Sequence, residues 1–124
     1  MTLISGGITK CENIENHNNF MEFLEKTNTK TIKTYTCGSN EFFKNNKEKF
    51  DIILIDGDHC YEQSKKDLEN SLMSINEGGV IIIHDVKDWV QNLPREKSCA
   101  RVFDEYSGKK EFIKTVNNMG VIYV

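Results

Sequence analysis

Acidic and imidazole side chains follow two apolar runs of the sequence. The motif Asp56 to His59, which reads DGDH, comes directly after the run 51–55, and His84-Asp85 comes directly after the run 80–83. Both runs are typical of β-strands, and ligands of open parallel sheets bind outside the carboxyl ends of the strands. Because a buried charge needs a partner or a ligand, we favour a functional site there over helix capping and loop solvation. For Asp58 alone, capping is an equal alternative.

The elements that would position these residues are strands alternating with helices. A helix is expected from about Tyr61 to Ile75, ended by Gly78-Gly79, and a second one around Val102 to Tyr106. The run Val80 to Ile83 is typical of a strand buried on both faces. The chain should close on two antiparallel strands at one edge of the sheet. They are expected at Phe112 to Val116 and Val121 to Val124, joined by a tight turn at Asn117-Asn118. The pattern predicts the α/β class with a mostly parallel sheet.

The first third of the chain gives weaker signals. They indicate, in order, a strand at Leu3-Ile4 and Ile8 interrupted by Gly6-Gly7, a helix carrying Phe20, Phe23 and Leu24, a strand from Thr31 to Thr36, and a short helix with Phe42 and Phe43 that Ser39 or Asn40 could cap. A length of 124 residues and the absence of an internal linker or repeat favour one domain over residues 1–124.

Charge and cysteine spacing exclude several classes of function. A net charge of -3 gives no reason to expect nucleic acid or an anionic membrane as a partner. The four cysteines form no Cys-x-x-Cys pair, so their spacing predicts no zinc site of that kind. No signal peptide and no run of about 20 apolar residues is present. We therefore expect reduced thiols, each a small buried hydrophobe, and a cytoplasmic protein.

The stretch Phe50 to Glu62, which reads FDIILIDGDHCYE, resembles the "fDlifIDGdHsYe" signature of class I S-adenosylmethionine-dependent methyltransferases. Within that family, the resemblance is to the group that contains small-molecule, sugar and antibiotic O-methyltransferases. The resemblance continues through Lys66-Asp67-Leu68, Gly78-Gly79, Ile83 to Val86 and the closing Met119 to Val124. It covers roughly residues 30 to 124. It implies a Rossmann-like sheet, S-adenosylmethionine as cofactor, and methyl transfer to a hydroxyl of a small molecule or sugar.

The same resemblance implies residues for the cofactor site. Gly38 and Ser39 match the loop that lies beside the adenine, although Ser39 stands where the family usually has an acidic residue. Glu12 is the best match for the acidic residue that binds the ribose hydroxyls; a solvated glutamate before a helix is the alternative. Asp56 is assigned to the cofactor site as well.

Further matches imply a metal site and a base. Asp56, His84 and Asp85 match positions that hold a divalent cation, Mg²⁺, in metal-dependent relatives such as catechol O-methyltransferase. His84 departs from those relatives, because imidazole is a poor magnesium ligand. His59 matches the position of a base, and an unperturbed histidine titrates at about pH 6.5, which suits that role. A loop histidine that only hydrogen-bonds Asp85 or Asp56 is the alternative.

One part of the family pattern has no counterpart in the sequence. Family members begin with a strand and a Gly-rich loop, commonly like "EiGxxxGxST", that approaches the methionine portion of the cofactor. The nearest string, Ile4 to Thr9, lacks the acidic residue and the spacing. Residues 3 to 12 fit better as the family's second strand, which predicts an N-terminally truncated sheet with exposed strand edges. Three explanations of the missing first strand stay open. The gene or expressed fragment is truncated, a partner chain or second copy supplies the strand, or the first residues of the chain move into the central position.

Two alternatives to an active methyltransferase stay open. One is a non-catalytic remnant that serves as a binding or assembly module, since the Gly-rich loop is missing. The other is a metal-dependent hydrolase that uses the carboxylates and imidazoles of both motifs: Asp56, Asp58, His59, His84 and Asp85.

Overall fold

The computed structural model describes residues 2–5, 19, 22–23, 25–26, 33–87, 89–90, 93–114 and 118–124. Contacts group the chain into two units, residues 1–46 and 47–124. That residues 1–124 form a single domain stays a prediction. No described helix is both long enough and apolar enough to cross a membrane.

The unit of residues 1–46 contains a parallel strand pair and a short helix. Strands β1 (Thr2–Ser5) and β2 (Lys33–Thr36) are parallel, with Thr2 opposite Lys33. The predicted strand residue Ile8 lies outside the described residues. Helix α1 spans Ser39–Asn45 and begins after Gly38, which has no side chain to cap it. The predicted cap by Ser39 or Asn40 is therefore wrong: both residues already lie inside the first turn, where their own backbones are helical.

The first predicted helix is described only in part. Its described members Asn19, Glu22, Phe23, Glu25 and Lys26 have helical backbone conformation. Glu22 and Lys26 form an ion pair at 2.6 Å with the spacing expected of neighbours on one helix face. The other two apolar members of the predicted pattern, Phe20 and Leu24, lie outside the described residues.

The unit of residues 47–124 is built on a four-stranded mixed sheet. Its strands are β3 Phe50–Ile55, β4 Ile75–Ile83, β7 Lys110–Ile113 and β8 Met119–Tyr123. They lie in the order β3-β4-β8-β7, with β3 and β4 parallel and the other two pairs antiparallel. Smaller elements complete the unit: β5 Trp89–Val90, β6 Leu93–Pro94, the 3₁₀ turn Arg95–Lys97 and helix α3 Cys99–Glu105. The α/β class and the antiparallel closing pair are confirmed.

Helix α2 (Tyr61–Ser74) runs directly into β4, which begins at Ile75. The expected helix end at Gly78-Gly79 is wrong, because both glycines lie within β4. Gly79 sits where the register of β3 against β4 shifts, and a Cβ there would lie 2.9 Å from the carbonyl oxygen of Asp51. Glycine at position 79 thus serves close strand approach rather than helix termination.

The core of this unit lies on one face of the sheet. Helices α2 and α3 contribute Leu68, Val102 and Phe103 to it, and the sheet contributes Ile55, Ile81, Ile83 and Ile122. On the opposite face Ile52 is 67% exposed and Leu54 is 56% exposed, and their neighbours on β4, Val80 and Ile82, are half-buried. Burial of Val80–Ile83 on both faces, which the apolar run predicted, is therefore complete on one face only.

Candidate active site

The two polar motifs meet because β3 and β4 are neighbouring parallel strands. Ile55 lies opposite Ile83, so Asp56 and His84 leave the same edge of the sheet side by side. The backbone N–H of His84 donates a hydrogen bond to the carbonyl of Ile55 at 3.0 Å, which joins the two strand ends. The predicted convergence of the motifs is confirmed by this register.

Four side chains form a closed ring in which carboxylates and imidazoles alternate. Nδ1 of His84 lies 3.2 Å from Oδ1 of Asp56 and 3.1 Å from Oδ2 of Asp85. Nε2 of His59 lies 3.2 Å from the same Asp85 oxygen and 3.7 Å from the same Asp56 oxygen. The four atoms all lie within 4.8 Å of one another. Such a ring can hold a cation, or accept and pass on a proton.

His59 of the ring is buried and His84 is partly buried, and both have ring nitrogens without hydrogen bonds. His59 is 8% exposed, whereas both carboxylates are reached by solvent. Neither ring nitrogen of His59, nor Nδ1 of His84, makes a hydrogen bond of acceptable geometry to any described residue. Three of the nitrogen–oxygen separations in the ring are only 3.1–3.2 Å, yet no hydrogen bond is formed there. A buried polar atom in this condition usually has a ligand or ordered water as its partner.

Asp85 adopts a left-handed backbone conformation, with φ at 59°. Among residues with a side chain, aspartate and asparagine tolerate this region best, because their short polar side chains can hydrogen-bond locally. The turn that follows β4 therefore depends on the residue type that also supplies a carboxylate to the ring.

Cys99, the first residue of α3, holds both loops of the site and was not predicted to do so. Its backbone N–H donates to the carbonyl of His59 at 2.8 Å, and its thiol lies 3.5 Å and 3.4 Å from the carbonyls of His84 and Asp85. Burial raises the pKa of this thiol to about 11, so it stays a protonated donor. The predicted burial is confirmed for Cys99, whereas Cys37 and Cys60 are only partly buried. No local sequence signal indicates the contacts of Cys99, which join residues at least 14 positions apart.

Asp58 caps the polypeptide turn before α2 and does not join the ring. Its Oδ1 accepts a hydrogen bond from the backbone N–H of Cys60 at 2.8 Å, and its carbonyl accepts one from the Ser64 hydroxyl at 2.9 Å. The bond from Cys60 lowers the pKa of the Asp58 carboxyl below its ordinary value of 3.8. The capping alternative for Asp58 is thereby supported.

Asp58→Ala is expected to lower the free energy of unfolding by about 0.5–1 kcal/mol, because an exposed charged acceptor contributes less than a buried one. Since the folded pKa is depressed, the contribution is present above the unfolded pKa and is lost as pH falls through the folded one. Urea unfolding of both proteins should show a constant difference near neutral pH that shrinks below about pH 4. Asp58→Asn, which keeps an acceptor without charge, is the control. Equal stability of wild type and Asp58→Ala at pH 7 would refute the capping role.

The residues assigned to the cofactor's nucleoside are divided between the two units. Gly38 and Ser39 lie at the start of α1 in residues 1–46, and Asp56 lies in residues 47–124. Glu12 lies outside the described residues. Cofactor contacts of all four residues stay a prediction.

Comparison with known proteins identifies the family. A family model described as "Methyltransferase domain" matches residues 3–86. Among solved structures, an O-methyltransferase from Bacillus cereus in complex with SAH is similar in fold, with a TM-score of 0.65 and 17% identity. That similarity covers 99% of this chain and 74% of the other. No curated protein matches the sequence. The likeness confirms the Rossmann-like fold class, and the family match over more than half of the chain shows that it belongs to the methyltransferase-domain family.

Proposed function

We propose that the chain transfers a methyl group from S-adenosylmethionine to a hydroxyl of a small molecule or sugar. The observation that carries the proposal is the ring of Asp56, His59, His84 and Asp85 at the carboxyl edge of the sheet. The chain belongs to a methyltransferase family, and ligands of open α/β sheets bind at this edge in general, which supports the proposal. The similar O-methyltransferase structure contains SAH, the demethylated cofactor, and supports the same ligand class here.

His59 is the proposed base. When the acceptor hydroxyl attacks the methyl carbon, the carbon–sulfur bond breaks, SAH leaves, and the hydroxyl proton passes to Nε2 of His59. The imidazolium formed in this way lies 3.2 Å from Oδ2 of Asp85, whose negative charge stabilises it. The reaction itself is an in-line displacement, so holding acceptor and cofactor in line supplies most of the rate.

Asp56 is the proposed contact between the ring and its ligands. Its side chain is about half exposed, so one carboxylate can face the ring and still accept hydrogen bonds from an acceptor or cofactor hydroxyl. Gly38, Ser39 and Glu12 are proposed to flank the nucleoside. A cytoplasmic location, and a second copy or partner chain that completes the sheet, stay predictions.

Calorimetric titration of the chain with SAH tests the proposal. We expect saturable binding with a Kd in the micromolar range, equivalent to about -8 kcal/mol. Adenine alone, which has the base without the ribose and thioether, is the control and should bind at least tenfold more weakly. Absence of binding at millimolar SAH would refute the proposal and favour a non-catalytic binding module.

The hydrolase alternative is weaker than the sequence suggested. Of the five residues assigned to it, four form the ring, but Asp58 is engaged by the amide of Cys60 and lies outside the ring. Metal-dependent cleavage of p-nitrophenyl phosphate without S-adenosylmethionine would restore this alternative.

A further inference from the structure

The donor atoms of the ring do not suit Mg²⁺, the ion that the sequence resemblance implies. Magnesium takes six oxygen ligands in an octahedron and keeps several waters. Here two of the four inward atoms are imidazole nitrogens, Nε2 of His59 and Nδ1 of His84. Imidazole suits Zn²⁺, Co²⁺, Ni²⁺ and Cu²⁺, and two carboxylates add the negative charge that balances a divalent ion.

The spacing of the four atoms fits a small tetrahedral ion. Zinc lies about 2.0–2.2 Å from nitrogen and carboxylate ligands, so the ligand atoms of a tetrahedral site lie about 3.3–3.6 Å apart. The four nitrogen–oxygen separations in the ring are 3.1, 3.2, 3.2 and 3.7 Å. These four lie close to that spacing, and all four atoms lie within 4.8 Å of one another, so an ion would draw the most widely separated pair together by at most about 1.2 Å.

The unsatisfied nitrogens give an independent indication of a ligand. His59 is more than nine-tenths buried, and its Nε2 has two carboxylate oxygens within 3.7 Å without a hydrogen bond to either. A buried nitrogen that lies beside two carboxylate oxygens and is hydrogen-bonded to neither is available to a cation between them. Nδ1 of His84 stands in the same relation to the same two oxygens. Both nitrogens are therefore available as ligands to one ion inside the ring.

The backbone around the ring is fixed by bonds that a metal would not disturb. Cys99 bonds the carbonyls of His59, His84 and Asp85, and His84 is tied to the end of β3. The loops that carry the four ligands are thus held in place from outside the ring, which lowers the cost of organising the site on binding.

We propose that Asp56, His59, His84 and Asp85 form a tetrahedral site for a borderline divalent ion, with Zn²⁺ as the best fit and Mg²⁺ excluded by the donor set. If His59 is the base, as proposed above, an ion on Nε2 takes the lone pair that would accept the hydroxyl proton. A zinc-loaded site is then an inhibited state, and removal of the ion restores methyl transfer.

Titration of the metal-free chain with Co²⁺ and Zn²⁺ tests the site without reference to activity. Tetrahedral Co²⁺ absorbs visible light far more strongly than octahedral Co²⁺, so we expect an intense band that Zn²⁺ abolishes and that excess Mg²⁺ leaves unchanged. His84→Asn should weaken Zn²⁺ binding by roughly 100-fold or more. Asp58→Asn, which changes a nearby carboxylate outside the ring, is the matched control and should bind Zn²⁺ as the wild type does.

Three results would overturn the proposal: a weak octahedral Co²⁺ spectrum, equal affinity for Mg²⁺ and Zn²⁺, or an equal loss of Zn²⁺ affinity in His84→Asn and Asp58→Asn. Circular dichroism of each variant shows whether it is folded, and His59→Gln serves as the second ligand variant if His84→Asn is not. Binding of SAH without binding of Zn²⁺ removes the metal site alone. Binding of Zn²⁺ without SAH leaves the metal site standing and removes the proposed methyltransferase activity.

Discussion

His59→Gln is expected to lower kcat/KM for methyl transfer by about 10²–10⁴-fold, the usual contribution of a positioned base. Glutamine is similar in length and polar, so it should fill the buried position, but its amide cannot accept a proton at neutral pH. The Asp85 carboxylate would remain, but the glutamine side chain would separate it from the acceptor hydroxyl. The measurement is the initial rate of SAH formation from S-adenosylmethionine with a catechol or sugar acceptor.

Two controls separate loss of the base from loss of structure. SAH should bind His59→Gln within about threefold of the wild type, because the base acts on the acceptor and not on the cofactor. A nitrophenol acceptor that is already ionised at the assay pH needs no base, and its methylation should be nearly unaffected. The base role is wrong if the variant turns over a catechol as fast as the wild type, or if ionised and neutral acceptors lose rate equally.

Phe103→Ala is expected to cost about 3–5 kcal/mol of the free energy of unfolding, a large part of what a domain of this size has. Phe103 is buried on α3 and packs against the sheet above Gly120 of β8. The contact is so close that a Cβ at position 120 would lie 2.5 Å from a ring carbon of Phe103. Gly120→Ala should therefore also destabilise, by about 1–3 kcal/mol, because the ring must move off its rotamer.

The double variant distinguishes packing from a general intolerance of substitution. In Phe103→Ala the space beside position 120 is vacated, so a methyl group placed there meets no ring. The cost of Gly120→Ala measured in the Phe103→Ala background should fall to near zero, a coupling of at least about 1 kcal/mol. Urea unfolding of the four proteins gives this value, and Phe103→Leu replaces Phe103→Ala if the latter does not fold. Additive costs would show that Gly120 and Phe103 are not in the close contact described.

The sequence predicts the ring better than it predicts the elements around it. Asp56 and His84 could be placed side by side because both follow apolar runs, and neighbouring parallel strands end at one edge. The positions of the ring nitrogens could not be predicted in the same way, because they depend on the course of each loop after its strand. Cys99 illustrates the limit: its bonds to the loops of His59 and Asp85 are long-range, whereas its local context shows only an apolar helix.

The errors concern residues whose local signal competes with a tertiary requirement. Ser39 is a good capping residue, yet α1 begins one residue earlier at Gly38, and the serine lies in the first turn. Gly78-Gly79 resembles a helix end, but close approach to β3 requires glycine at position 79. The apolar run of β4 predicted two buried faces, and the packing of α2 and α3 completes only one.

The left-handed backbone conformation at position 85 restricts which amino acids can stand there. Its backbone alone admits glycine, asparagine and aspartate at low cost, and excludes β-branched residues. The ring alone would accept either acidic residue as a source of negative charge. Only aspartate satisfies both requirements, so a library randomised at position 85 and selected for a folded, ligand-binding chain should return close to one amino acid. Position 56, at the end of a strand without that backbone constraint, should admit glutamate more readily.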